Sequence, residues 1–76
     1  MRRLIGKKMT IEELVKAVYP EGIEDFKEAK IRRFKDVVKY RGKVVGIYAG
    51  NGMVLTAEEE GVCMVPVIDG MTFWRK

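Results

Sequence analysis

From Phe34 onward the chain is cut into short stretches of β-branched and aromatic residues by turn-forming pairs, and this punctuation limits the possible folds more than any other feature. Val, Ile, Tyr and Phe suit a pleated, half-buried surface, while Arg41-Gly42, Gly50-Asn51-Gly52, residues 58–61 and Asp69-Gly70 suit chain reversals. The spacing predicts strands near 36–40, 43–49, 53–57, 62–67 and 71–75. Five short strands do not make two large layers. They can curl into a small antiparallel meander or half-barrel that needs a helix against one face.

That helix is written ahead of the strands. Thr10 and Glu13 have the spacing of a capping box, and Met9 and Leu14 that of a hydrophobic staple. Ile11, Leu14, Val15 and Val18 then fall on one stripe, which Tyr19-Pro20 ends. Glu21-Gly22 restarts the chain, with Glu24 and Asp25 placed for the positive end of a second helix over residues 23–32. Its apolar side, Ile23, Phe26 and Ala29, is thin, and Glu28 and Arg32 are set for an i, i+4 pair. The expected fold is α+β, with one or two N-terminal helices packed on a small antiparallel β-meander or half-barrel of five short strands. It forms a single domain over 1–76, with 1–9 flexible, 10–33 helical and 34–76 the meander.

With 76 residues there is room for one core. A hydrophobic fraction of 47% beside 34% charged residues places the chain among folded proteins. It has one cysteine and no histidine, which excludes an intrachain disulfide, Cys–His catalysis and His-based metal sites within the chain. Cys63, between Val62 and Met64, reads as a buried and inert thiol, and Glu58-Glu59-Glu60 as a solvated turn. Gly46, Gly50 and Gly52 lead into strands, where a phosphate loop would lead into a helix, so they read as bends or close backbone approaches. No cofactor or metal is expected. No apolar run nears the roughly 18 residues of a membrane span, and residues 1–8 lack the apolar core of a signal peptide. A cytoplasmic location without membrane contact is therefore expected.

Charge is unevenly distributed. Residues 1–43 carry 13 Lys/Arg against seven Asp/Glu, whereas residues 44–76 carry two against four. The basic half suits either a solvated face or a polyanion or acidic protein partner, for which Lys30, Arg32, Arg33, Lys35 and Lys39 are the candidate contacts. Tyr40, Tyr48 and Trp74 lie among basic residues and are candidate interaction aromatics. Two readings stay open. One is a non-enzymatic structural or protein-interaction module that binds another protein or its own copies; the other is a small basic nucleic-acid-binding protein.

One stretch has more than a generic β pattern: Asp36-Val37-Val38, then Val44-Val45-Gly46-Ile47-Tyr48-Ala49-Gly50-Asn51-Gly52, Val54-Leu55-Thr56-Ala57 and Gly61-Val62 to Pro66-Val67. It resembles the C-terminal β-half of NlpC/P60 cell-wall peptidases, over residues 36–76, including a Trp74-Arg75 ending like that of some phage-encoded relatives. The resemblance places Val44 where the family has its catalytic histidine and Thr56 where it has the histidine of the next strand. No cysteine occupies the helices before Phe34, and Cys63 lies on a later strand. The resemblance thus implies a catalytically degenerate papain-like scaffold reused for binding, as in a virion or prophage component found in host cytoplasm and assembled particle.

Overall fold

The structure, a computed structural model, describes residues 4–76. Among these residues one α-helix, α1 (Ile11–Val18), precedes six strands: β1 (Lys27–Ala29), β2 (Val37–Tyr40), β3 (Lys43–Gly50), β4 (Met53–Glu58), β5 (Gly61–Pro66) and β6 (Met71–Arg75). The strands form a single antiparallel sheet in the order β1-β6-β2-β3-β4-β5. Among the described residues no helix is long and apolar enough to cross a membrane.

The expected fold is corrected on two counts. Among the described residues there is no second helix and there are six strands, because Lys27, Glu28 and Ala29 pair with Arg75, Trp74 and Phe73. A ten-residue helix with so thin an apolar side is marginal in isolation, whereas β6 offers an open edge to hydrogen-bond. Ile23 and Phe26 are instead joined through a turn, Phe26 N–H donating to the Ile23 carbonyl at 3.0 Å. The arrangement is also not a simple meander, since β6 leaves β5 and inserts between β1 and β2.

That insertion requires curvature. In a flat sheet β5 and β6 would be about 19 Å apart at the usual strand spacing, and a fully extended connection over residues 67–70 spans only about 17 Å. The sheet therefore coils. Burial agrees: α1 covers one face, where Val15, Val37 and Ile47 form one cluster and Leu14, Leu55 and Val62 another. Val38, Tyr48 and Val54 on the opposite face are also buried, although no helix covers them. They are enclosed by the sheet itself, together with Val65, Val67, Met71 and Phe73. Irregular register between Val38 and Lys39, and between Tyr48 and Gly50, helps the strands bend. The Thr56 hydroxyl donates to the carbonyl of Val45, the residue left over at the first bulge, at 2.7 Å.

The Thr10/Glu13 capping box is present: Glu13 N–H donates to Thr10 Oγ1 at 3.1 Å, and Thr10 N–H to Glu13 Oε1 at 2.9 Å. Leu14 and Val15 carry the buried stripe, and Met9 packs on the Leu14 cluster. Thr10→Ala is expected to lower unfolding free energy by about 1 kcal/mol, measurable by urea denaturation. Of the segment expected to be flexible, residues 1–3 lie outside the described residues. Beyond them, Gly6 N–H donates to the Val62 carbonyl and Val62 N–H to the Lys7 carbonyl, each at 2.8 Å, which ties the segment to the β5 edge.

Candidate interaction surface

Between β1 and β2 the chain makes a loop in which all six residues 30–35 are exposed. It is nonetheless held at many points. Asp36, 2% exposed, ends the loop, and its Oδ2 accepts the Arg33 backbone N–H at 2.8 Å and Arg75 Nη1 at 2.6 Å. Arg75 Nη1 also donates to the Ile31 carbonyl at 3.0 Å, and Asp36 N–H to the Arg33 carbonyl at 3.0 Å. Lys35 N–H donates to the Tyr48 carbonyl at 2.8 Å, and the Tyr19 hydroxyl donates to the Lys35 carbonyl. Lys35 has φ 77. A left-handed conformation costs a non-glycine residue about 1 kcal/mol, and such strain persists only where surrounding contacts over-determine it.

The loop therefore presents its side chains from a fixed base. Ile31 is 74% exposed and Phe34 59% exposed, with Lys30, Arg32, Arg33 and Lys35 around them. Of the five cations singled out in the sequence, these four share the loop, with the Arg32 guanidinium 5.3 Å from the Tyr48 ring centroid and the Lys35 ammonium 5.9 Å from that of Tyr19. Lys39 stands apart on β2, its ammonium 4.1 Å from the Trp74 ring centroid. The three aromatics do not form one surface. Tyr48 is 6% exposed, accepts the Gly52 N–H on its hydroxyl at 2.9 Å and meets Phe73 edge to face. Trp74 is half-buried, its indole N–H donating to Thr72 Oγ1 at 2.9 Å, and Tyr40 is half-buried with the Arg41 guanidinium 5.3 Å from its ring centroid. Among the described residues Ile5, Met64 and Ile68 are exposed as well, but the most exposed large apolar side chains are Ile31 and Phe34, and neither is among the candidate contacts read from the sequence. Their signal was an aromatic and an isoleucine inside a run of four cations, outside any strand alternation.

Tyr19 has its hydroxyl proton held above the ordinary value of 10.0, first by burial and second by the negative charge of Asp36. Because the folded pKa is the higher one, this group's contribution to stability is complete below pH 10.0 and is lost as pH rises through the folded value. Tyr19→Phe is expected to cost about 1 kcal/mol at neutral pH and to remove an alkaline step in stability that the wild type shows. Thermal melts across alkaline pH check both.

On the far side of Tyr19 lies a cavity of about 400 Å³ between α1, residues 20–24 and the start of β3. Ile11, Val15, Ile23 and Val44 give it apolar walls. Val44, the position that the resemblance aligns with a catalytic histidine, thus faces this cavity, while Thr56 is engaged with the Val45 carbonyl. Cys63 is half-buried on β5, opposite Thr56. Its thiol is pushed above its ordinary range by desolvation, then by Glu58 and Glu60, so the nucleophilic thiolate is disfavoured. Among the described residues no three His, Cys, Asp or Glu side chains gather to hold a metal ion. No protein-family profile, curated protein or solved structure matches the chain.

Proposed function

We propose that this chain is a non-enzymatic protein-interaction module whose docking element is the 30–35 loop. The observation that carries this reading is the exposure of Ile31 and Phe34 on a loop anchored by the buried Asp36. Exposed apolar side chains rimmed by charge mark interaction sites. A loop already held in shape also loses little conformational freedom on docking. The NlpC/P60-like stretch supports a scaffold on which Val44 and Thr56 replace histidines, and a structural role in a virion or prophage particle accords with it. A photo-crosslinking residue at Phe34 is expected to trap protein in the native cell or particle, and one at Glu59 to trap none. No protein adduct at Phe34 would remove this reading.

A second reading is favoured by the same loop. Four cations share this loop with an exposed aromatic ring, a combination on which single-stranded nucleic acid can stack while its phosphates are neutralised. If four phosphates are neutralised, log K should fall with log salt at a slope of about −3. Gel shift at graded ionic strength tests this, and no shift at low salt rejects it.

A further inference from the structure

We infer that the partner of the 30–35 loop is a second copy of this chain, and that two copies exchange loops, each inserting Ile31 and Phe34 into the other's Val44 cavity. This rests on the docking reading above and names its partner. The chemistry of the two sites is complementary. The loop offers two exposed apolar side chains among Lys30, Arg32, Arg33 and Lys35. The cavity offers apolar walls with Glu12, Glu21 and Glu24 lining it against one ammonium, Lys16. A volume of about 400 Å³ lies within the range of about 300–1,000 Å³ that accepts ligand-sized groups.

Among the described residues neither set of charges is taken up in an ion pair, although Arg32 lies over the Tyr48 ring and Lys35 over the Tyr19 ring. Among the described residues the ion pairs are Arg75–Asp36 and Lys76–Asp25, which involve none of the four loop cations and none of the three cavity carboxylates. Placement favours a closed pair over an open chain of molecules. Tyr19 lines the cavity and also hydrogen-bonds the Lys35 carbonyl, so the projecting loop and the receiving cavity adjoin through one residue. A two-fold axis between adjoining knob and socket lets each copy fill the other, and one operation satisfies both sites. Opposed charges at the rim then make the pair salt-sensitive, with the apolar insertion supplying the part that salt does not screen.

Sedimentation equilibrium of the full chain from micromolar to millimolar concentration tests this. The wild type is expected to dimerise, with affinity falling as salt rises. Arg32→Glu/Arg33→Glu and Glu21→Lys/Glu24→Lys should each be monomeric with unchanged circular dichroism, because all four side chains are on the surface or partly so. Mixing the two reversed variants should restore a dimer, and Phe34→Ser should weaken the wild-type dimer at least tenfold. A wild type that stays monomeric at millimolar concentration overturns self-pairing. So does a dimer that survives both reversals, or a mixture that stays monomeric. The docking reading has its own test in the Phe34 crosslink: a foreign protein trapped there, beside a monomeric wild type, sinks self-pairing alone.

Discussion

Gly46→Ala is expected to lower the unfolding free energy by at least about 3 kcal/mol, a large share of the stability of a domain this small. A Cβ built at Gly46 would lie 2.0 Å from the Leu55 carbonyl oxygen and 2.9 Å from Val54 Cγ1. Even close carbon–oxygen contacts across a sheet sit at about 3.3–3.6 Å. The obstacle is backbone, so no side-chain rotation relieves it, and β3 would have to move more than 1 Å from β4. Gly46 does not have a positive φ, so the effect is steric alone. Gly42→Ala is the control, since nothing lies within 4 Å there and only its φ of 79 opposes a side chain. It should cost about 1 kcal/mol. Urea denaturation of both variants separates the two causes. Equal losses would contradict the close approach at Gly46.

Asp36→Ala is expected to cost about 3 kcal/mol and to free the 30–35 loop. The substitution leaves Arg75, whose side chain is 29% exposed, without its carboxylate, and the Arg33 N–H without its acceptor. Removing one member of a buried pair is the costly change, and partial access of Arg75 to water keeps the loss at the low end. Asp36→Asn retains an acceptor for the Arg33 N–H and should cost less. Asp36→Ala/Arg75→Met, which removes both charges, should recover part of the loss in a double-mutant cycle. A second readout follows the loop itself: trypsin should cut after Arg32 or Arg33 in Asp36→Ala much faster than in the wild type. Unchanged proteolysis would mean that the carboxylate does not hold the loop.

What the sequence made legible was local. The capping box at Thr10 and Glu13, the stripe through Leu14 and Val15, and the five turn-bounded strands after Phe34 are all written in neighbouring residues. β1 could not be read that way, because Lys27, Glu28 and Ala29 have neither β-branched side chains nor alternation. They are a strand only because residues 73–75 come to lie beside them. A short, charged edge strand is how sheets discourage further pairing, so the features that make it a good edge also hide it. The coil of the sheet left a trace that can be named in retrospect. Val37-Val38, Ile47-Tyr48 and Val54-Leu55 are adjacent apolar pairs split between opposite faces, which only a sheet buried on both sides tolerates.

The candidate surface was half visible for a similar reason. A run of cations is a property of composition and survives any fold, so Lys30, Arg32, Arg33 and Lys35 stay on one exposed loop. Aromatic side chains are distributed by strand parity, which sends Tyr48 and Trp74 to different clusters. The sequence pattern places Ile31 in the 23–32 helix, which does not form, and Phe34 at the start of the β half, so neither stands out there as a projecting side chain.

The place of β6 has a consequence for how the molecule comes into being. Met71–Arg75 is the last strand in chain order, yet it sits between β1 and β2. While the chain emerges from the ribosome, β2 to β5 can pair in sequence as local hairpins, but β1 has no neighbour and the open side of β2 has none either. Closure waits for the final strand and joins residues far apart in sequence, the kind of contact that slows folding. The 30–35 loop waits with it, because Asp36 meets Arg75 only when β6 arrives. The surface proposed to meet a partner thus takes shape only once β6 is in place, and a nascent chain cannot dock through it before that strand is made and paired.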